Sequence, residues 1–369
     1  MLKMLVFSLS LRAVKLKESL SSFSLSPDPI FQPLIGFWAS KALMAAVELE
    51  LFTKLSGGKQ MTLNELQKIL GMEARPTGVF ASALASLGLL QVTKTEEGGE
   101  GLFANSPVSE MFLDKSKDSY MGDIITMFDK RLYKAWDKLV ESLQTNKPVN
   151  ATDGGGAESI FDQAKSKQAV EEIQKFTHAM YGVSIGPAIQ LPKVYDFSKH
   201  LRMMDIGGGS GIYAIQVVKA NPHMIATVLD LEAVCQVAEQ YIRSYNLEDK
   251  VKTKPLDFFK EDIPKGYDVV FLSLILHDYS EEKGIALLKK ICNGLANDGV
   301  VVISEWLLND EKTGPAASAL MGLNMIIETY GGKNYSYAEI VDMLKQAGFK
   351  RVERRSLAGP AEIVIGYKV

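Results

Sequence analysis

From Leu201 to Val369, short apolar segments alternate with amphipathic helical patterns, and this alternation restricts the possible folds more than any other feature of the chain. Segments of these lengths and this order typically pack as a parallel sheet with helices on both faces. The predicted strands are Leu201–Ile206, Met224–Leu229, Lys252–Pro255, Tyr267–Leu274 and Gly299–Glu305. The expected fold class for this half is therefore α/β, with a doubly wound, Rossmann-like sheet.

The last two predicted strands depart from the parallel pattern. Helices are expected at Ala316–Tyr330 and Tyr337–Ala347, and strands at Lys350–Leu357 and Ala361–Val369. Only a Gly-Pro turn separates these two strands, so they must run antiparallel. A mostly parallel sheet that ends in an antiparallel hairpin differs from the usual dinucleotide-binding fold and is typical of a methyltransferase.

Three short helices and a hairpin are predicted in the first part of the chain. Thr62 and Glu65 form a T-x-x-E capping box, which marks the start of the second helix. The predicted segments are the helices Phe37–Leu55, Thr62–Leu70 and Pro76–Gly88, followed by the strands Leu89–Thr93 and Gly101–Ala104. That order indicates a winged helix.

Two longer amphipathic helices are expected to join this region to the next domain, over Asp123–Gln144 and Lys165–Tyr181. A Gly-rich loop or linker is expected between Gln144 and Gly156, where three consecutive glycines interrupt the helical pattern.

Charge argues against nucleic acid as a partner of this winged helix. The chain has 41 basic and 44 acidic side chains, a formal net charge of −3. In many winged-helix proteins the third helix reads DNA, but here the stretch Arg75–Leu87 that would do so offers only Arg75 as a basic residue. We therefore expect no nucleic-acid binding.

Cysteine content and hydropathy bear on the location of the protein. Cys235 and Cys292 are the only two cysteines, too few for a disulfide framework or a cysteine-based zinc site, so we expect a reducing, cytoplasmic setting and no metal. No continuous apolar run approaches the roughly 18 residues of a spanning helix, so we expect no membrane association. Met1–Leu20 faintly resembles a secretory signal but lacks a small-residue cleavage site, and an N-terminal extension is expected instead.

A glycine-rich loop follows the first strand of the predicted sheet. The segment Asp205–Gly211 has G-x-G-x-G spacing through Gly207, Gly209 and Gly211, which lets a ligand approach the backbone closely. Ile212 stands where the NAD fingerprint has its third glycine, so the loop favours S-adenosylmethionine (SAM) over a dinucleotide. A purely structural turn is the alternative.

Two further acidic positions strengthen the nucleoside interpretation. Asp230 ends the second strand, where a carboxylate can accept hydrogen bonds from both ribose hydroxyls. Asp257 and Phe258 follow the third strand and offer an acceptor and a ring for adenine. An Asx turn beside a core phenylalanine is the alternative for this pair.

A histidine and a glutamate end neighbouring strands at the edge where ligands bind in open α/β sheets. His277 follows the fourth strand and Glu305 ends the fifth. The carboxylate could bond one imidazole nitrogen and leave the other as the acceptor that a general base requires. Alternatively, His277, Asp278 and Ser280 only connect the strand to the next helix.

Four segments together resemble the SAM-dependent small-molecule O-methyltransferases of the plant caffeate, bacterial antibiotic-tailoring and acetylserotonin type. The likeness extends from Ile35 to Val369, and the segments are Asp205–Gly211, Ile275–Ser280, Ile303–Glu305 and Gly331–Lys333. The resemblance implies a domain order of N-terminal extension (1–30), winged-helix dimerisation domain (31–115), helical connector lining the cleft (116–195) and SAM-binding domain (196–369). It also implies a homodimer formed through the N-terminal domain.

The resemblance implies roles for individual residues. His277 corresponds to the general base and Glu305 to the carboxylate that orients it. Phe176 and Met180 correspond to the pair flanking the reacting methyl group, although residues at this spacing are often core, and Met325 corresponds to a substrate-pocket position. The implied cofactor-binding residues are Asp205, Gly207, Gly209, Gly211, Asp230, Leu231, Asp257, Phe258 and Lys265.

The chain departs from the family pattern at Asn334. Members usually have a glutamate there, described as a second carboxylate beside the catalytic histidine, and Asn334 therefore belongs to the expected substrate pocket. An asparagine cannot stabilise imidazolium by charge, which favours an acidic acceptor hydroxyl. Glu328 could take the place of the missing glutamate, but the sequence favours a solvent-exposed charge on a helix for that residue.

The expected reaction is methyl transfer from SAM to a phenolic or enolic hydroxyl of a small molecule. The alternatives are a carbon or nitrogen methyltransferase on the same scaffold, a non-catalytic SAM-binding regulator, and an NAD oxidoreductase. Product analysis, a DNA-shift assay and a nicotinamide titration, respectively, would distinguish them.

Overall fold

The structure is a computed structural model that describes residues 26–94, 100–149 and 167–369. The expected N-terminal extension therefore lies mostly outside the described residues. So does most of the Gly-rich linker expected between Gln144 and Gly156.

The N-terminal region contains five helices and a two-stranded sheet within the described residues. Thr62 and Glu65 form the predicted capping box, and β1 and β2 pair antiparallel as expected. The elements are α1 Asp28–Glu48, α2 Leu51–Lys54, α3 Leu63–Leu70, α4 Ala74–Ser86, β1 Leu90–Lys94, β2 Gly101–Asn105 and α5 Pro107–Phe112.

Helix α1 differs most from the sequence prediction. It starts nine residues before Phe37, at Asp28, and a break after Glu48 separates it from α2. By length and composition it could cross a membrane, with a mean hydropathy of 1.4, which corrects the expectation that no segment reaches this length. Scattered polar residues interrupt its apolar run without lowering the average much. Core helices of soluble proteins pass the same test.

The connector is an irregular helical path rather than the single helix expected over Asp123–Gln144. A π-helical turn (Phe128–Leu132) and a 3₁₀ turn (Trp136–Lys138) interrupt it. Its α-helical pieces are α6 Gly122–Met127, α7 Tyr133–Ala135 and α8 Leu139–Thr145. Helix α9 (Lys167–Val194) then continues well beyond the Tyr181 end that was predicted.

The C-terminal region contains a seven-stranded sheet. Strand order is β5-β4-β3-β6-β7-β9-β8, with β3 to β7 parallel and the β8–β9 hairpin antiparallel. This confirms the α/β fold class and its terminal hairpin. The strands are β3 Arg202–Ile206, β4 Ile225–Asp230, β5 Val251–Pro255, β6 Tyr267–Ser273, β7 Leu295–Glu305, β8 Arg351–Ala358 and β9 Ala361–Tyr367.

Helices cover both faces of the sheet, which is why the central strands are almost continuously apolar. Helices α9, α10 and α11 contribute to the core on one face, and α12 and α14 to the core on the other. The helices of this region are α10 Ile212–Ala220, α11 Glu232–Ser244, α12 Glu281–Gly294, α13 Ala316–Glu328 and α14 Tyr337–Ala347. The carboxyl ends of β3, β4 and β6 stay open to a cavity.

Candidate active site

A cavity of about 1590 Å³ lies at the carboxyl edge of the sheet. One wall is formed by the loops after β3, β4, β5 and β6, and the opposite wall by the connector, α9 and α13. Helix α1 also reaches the cavity, through Phe37 and Met44. Ligand pockets usually measure about 300–1,000 Å³, so this cavity has room for two ligands side by side.

The glycine loop after β3 lines the cavity on the side formed by the sheet. Gly207 and Gly209 have φ angles of +63° and +57°, a left-handed conformation that favours glycine. A Cβ at Gly207 would collide with the Ile275 side chain, whereas the space beside Gly209 is open. The loop therefore presents backbone rather than side chains to the cavity.

Asp230 ties this loop to the end of β4. Its carboxylate accepts hydrogen bonds from the amides of Gly209 (3.0 Å) and Leu231 (2.8 Å), and the residue lines the cavity. Burial raises the pKa of Asp230 to about 6. Burial and the neighbouring Asp230 charge raise the pKa of Asp205 to about 7. The two carboxylates give this end of the cavity strong hydrogen-bond acceptors.

Asp257 and Phe258 lie at the same end. Asp257 accepts hydrogen bonds from the amides of Phe259 (3.1 Å) and Lys260 (3.2 Å), so the Asx-type turn weighed from the sequence is present. Both residues nevertheless line the cavity. The turn fixes the position of a carboxylate and an aromatic ring that face a ligand space.

His277 lies in a 3₁₀ turn (Leu276–Asp278) between β6 and α12. Its Nδ1 is 2.7 Å from Glu305 Oε2, and its Nε2 is 3.4 Å from Asp278 Oδ1. Glu305 Oε1 accepts hydrogen bonds from the amides of Ile275 (3.1 Å) and Leu276 (2.9 Å). One buried carboxylate therefore holds both the turn and the imidazole ring.

The charges around His277 and its burial shift the pKa of the imidazole in opposite directions. Burial lowers its pKa, but the charges of Glu305 and Asp278 and the hydrogen bond to Glu305 outweigh that effect and raise the pKa to about 9. In the neutral ring, Glu305 accepts the proton of Nδ1, which leaves Nε2 as a hydrogen-bond acceptor. This is the geometry a general base needs.

The connector and α13 meet on the other side of the cavity. Arg131, in the π-helical turn, donates a hydrogen bond to Glu328 at the end of α13. Trp136 Nε1 donates to Asn324 Oδ1 at 3.0 Å. Phe176, Met180 and Met325, the residues expected in the acceptor pocket, line the cavity with these polar groups.

The structure places four of the residues considered in the sequence analysis away from their expected positions. Lys265 is exposed and precedes β6, so it lies at the amino edge of the sheet, opposite the cavity. Gly211 is not among the lining residues; it caps α10 with a φ of +72°. Asn334 is buried behind the wall, where its amide donates to the Trp306 carbonyl at 2.7 Å. Glu328 is 4% exposed and paired with Arg131, so it is not a solvated helix charge.

Sequence reasoning also missed residues that line the cavity. Ser273 ends β6, and it lines the cavity with its hydroxyl buried. The rule that ligands bind at the carboxyl ends of parallel strands could have found it. Arg131 carries no such signal because its partner lies 197 positions away in the chain.

The residues at the glycine-loop end fit SAM. Open backbone beside Gly209 admits a ligand closely, and the Asp230 carboxylate can still accept from ribose hydroxyls because each oxygen has two lone pairs. Within the described ranges, no group of three or more His, Cys, Asp or Glu side chains could hold a metal ion.

Comparison with known proteins extends this picture to the whole chain. Residues 31–115 match the family model of the O-methyltransferase dimerisation domain, and residues 136–350 match that of the O-methyltransferase domain. A 3-hydroxy-5-methyl-1-naphthoate 3-O-methyltransferase from Streptomyces sahachiroi is 32% identical over 90% of this chain and 93% of its own length. The tetracenomycin polyketide synthesis 8-O-methyl transferase TcmO of Streptomyces glaucescens is also 32% identical, over 93% of this chain and 97% of its own.

The fold matches as well. The crystal structure of human N-acetylserotonin methyltransferase in complex with SAM superposes with a TM-score of 0.83, covering 94% of this chain and 99% of that chain at 24% identity. This likeness supports the architecture of both regions. The chain belongs to the family of SAM-dependent O-methyltransferases, which carry a dimerisation domain and transfer a methyl group to a hydroxyl of a small molecule.

Proposed function

We propose that this enzyme methylates a phenolic or enolic hydroxyl of an aromatic small molecule, with His277 as the general base. The observation that carries the proposal is the contact between Glu305 and His277: His277 lines the cavity, and its Nδ1 is 2.7 Å from the buried Glu305 carboxylate. It orients the ring and leaves Nε2 as the atom that takes the acceptor's proton.

Catalysis requires the enzyme to align SAM with the acceptor and to remove the proton of the acceptor hydroxyl. When bound, SAM supplies an electrophilic methyl group on a positively charged sulfonium. Asp230, Leu231, Asp257 and Phe258 would hold the cofactor at the glycine loop. Phe176 and Met180, which line the cavity, would position the acceptor ring. Such alignment can be worth roughly 7–11 kcal/mol, and base catalysis contributes roughly 10²–10⁴-fold.

The pKa of His277 favours an acidic hydroxyl. A base with a pKa of about 9 is well matched to a phenol, whose pKa is about 10 in the tyrosine side chain. An aliphatic alcohol holds its proton far more tightly. The aromatic lining by Phe128, Trp136 and Phe176 also favours a flat acceptor.

A screen with isotopically labelled SAM tests this proposal. We expect label transfer to phenols and enols, and none to amines or unactivated carbon. Transfer to an amine or carbon acceptor alone would replace the proposal with the alternative chemistry on the same scaffold. Regiochemical analysis of the product identifies the methylated atom.

We expect the Asp230→Ala variant to bind SAM about 1–3 kcal/mol more weakly, because it loses the proposed ribose hydrogen bonds and the contacts that fix Gly209 and Leu231. Isothermal titration calorimetry measures the change. Asp249→Ala, the same substitution at an exposed site, is the matched control. Unchanged SAM affinity in a folded Asp230→Ala protein would remove the ribose role.

We also propose that the enzyme is a homodimer formed through α1. The first half of this helix exposes large apolar side chains, including Phe31 (52% exposed) and Trp38 (63%). An unpartnered apolar face of this kind usually marks an interface. The match of residues 31–115 to a dimerisation domain supports the assignment. We further propose that the enzyme is cytoplasmic and has no nucleic-acid or membrane partner. In the dimer, the apolar face of α1 would be covered and could not contact a bilayer.

The double variant Phe31→Asp/Trp38→Asp is expected to be monomeric at micromolar concentration. Each buried aromatic side chain stabilises an interface by roughly 1.5–3 kcal/mol, and a charge at its centre removes that contribution and adds a desolvation cost. Light scattering reports the mass. Val140→Asp, which alters an equally exposed apolar residue on α8, should stay dimeric. A dimeric double variant would assign the interface to another surface.

A further inference from the structure

The Arg131–Glu328 pair has no role in the reaction as described above. Glu328 is 4% exposed and lines the cavity at the end of α13. Its Oε2 accepts a hydrogen bond from Arg131, and its Oε1 has no hydrogen-bond partner among the described residues. Leaving a buried acceptor unsatisfied destabilises a protein, so such groups are rare outside functional sites.

The position of the pair is close to the proposed base. Helix α13 packs against the 3₁₀ turn that carries His277, and the charge of Asp278 in that turn acts on Glu328. Arg131 also lies over the Phe176 ring, 5.7 Å from its centroid. The carboxylate is thus held beside an aromatic surface that can support an acceptor ring.

The charges near Glu328 determine which chemical group of a ligand could bind beside it. The carboxylates of Asp278 and Glu328 line this part of the cavity, Glu305 lies behind the His277 ring, and Arg131 is already paired with Glu328. A negatively charged substituent would be repelled there. A hydroxyl or N–H group would instead satisfy Glu328 Oε1.

We propose that Glu328, held in place by Arg131, is a specificity-determining residue that accepts a hydrogen bond from a second donor group on the methyl acceptor. The inference rests on the proposed function, in which the first hydroxyl meets His277. The enzyme therefore selects aromatic acceptors with a hydroxyl or N–H group in addition to the hydroxyl that is methylated. Arg131 is a positioning residue in this arrangement.

Binding of a matched pair of probes tests the proposal without depending on turnover. The probes are a dihydroxynaphthalene and the corresponding naphthol, titrated by calorimetry into the SAM-saturated wild-type enzyme. A hydrogen bond to a buried carboxylate predicts that the diol binds about tenfold tighter or more. Equal affinities, or no detectable binding of the diol at about 1 mM, would overturn the proposal, and neither outcome requires a variant to fold.

The Glu328→Gln variant assigns the preference to this residue. Arg131 only donates hydrogen bonds, so the glutamine oxygen will turn toward it and the amide NH₂ will face the cavity. We expect the diol to lose its advantage and the monomethyl ether of the diol, which can only accept, to bind better than in the wild type. Glu311→Gln, at an exposed glutamate, is the matched control and should keep the wild-type order.

The outcomes separate this inference from the proposed base. A melting curve and SAM affinity confirm that Glu328→Gln is folded; if it is not, the wild-type probe pair decides alone. A diol preference that survives in folded Glu328→Gln overturns the role of Glu328 while leaving His277 untouched. Full turnover in a His277 variant would overturn the base assignment and leave the binding preference intact.

Discussion

The His277→Gln variant is expected to lose at least about 10²-fold in turnover while it binds SAM normally. Glutamine fills a similar volume and can keep a hydrogen bond to Glu305, but it cannot take a proton from the acceptor. Base catalysis typically contributes roughly 10²–10⁴-fold, whereas the glycine loop and Asp230 lie outside the change. The kcat should therefore fall while the Kd for SAM stays constant.

Two measurements make this result specific. Steady-state rates with a phenolic acceptor give kcat, and calorimetry gives the SAM Kd of the same protein. His223→Gln, at an exposed histidine, should retain both values. If His277→Gln keeps full turnover and an unchanged pH profile, the site works by alignment alone and the base assignment is wrong.

Much of the site could be predicted from the sequence because strand ends mark it. In a parallel sheet, every residue that follows a strand lies at one edge, so Asp205, Asp230, Asp257 and His277 meet without any knowledge of distant contacts. The same rule, applied strictly, excludes Lys265. It comes before β6, and the direction of the strand places it at the other edge.

The acceptor side could not be predicted in the same way. Whether Glu328 is solvated or buried depends on Arg131, which belongs to the connector and comes close only after α13 packs against it. The predicted continuous helix over Asp123–Gln144 missed the π-helical turn that carries Arg131. Such a turn adds one residue to the local hydrogen-bond spacing, and tertiary packing rather than hydrophobic periodicity decides where it occurs.

The start of α1 was missed for a related reason. Large apolar residues lie on more than one side of the helix, since Ile35 and Phe37, two positions apart, point in nearly opposite directions, so this part of the chain lacks the two-faced pattern that identifies a surface helix. A helix that is apolar all round needs a partner to bury it. The sequence of one chain does not contain that partner as a separate signal, even when it is a second copy.

The pH dependence of the enzyme should move to lower pH when the charge of Glu305 is removed. In the free enzyme His277 has a pKa of about 9, so the neutral imidazole, and with it kcat/KM, increases as pH rises toward that value. Burial pulls this pKa down, and Glu305 and Asp278 pull it up. In Glu305→Gln the largest upward influence is gone, so burial prevails and the half-maximal pH should fall by about 1–3 units.

The same substitution should also lower the maximal rate, because a weaker base takes the acceptor's proton less readily. The glutamine amide cannot accept from the Ile275 and Leu276 amides and from His277 at once, so the ring also loses its fixed orientation. Rates of labelled methyl transfer between about pH 6 and 10 give both quantities, with Glu248→Gln as the exposed control.

Asp278→Asn should shift the pH profile in the same direction but less, because Asp278 makes the smaller charge contribution to the pKa of His277. A Glu305→Gln profile that coincides with the wild type would mean that the titrating group is not His277, because removing the charge of Glu305 must lower the pKa of that imidazole.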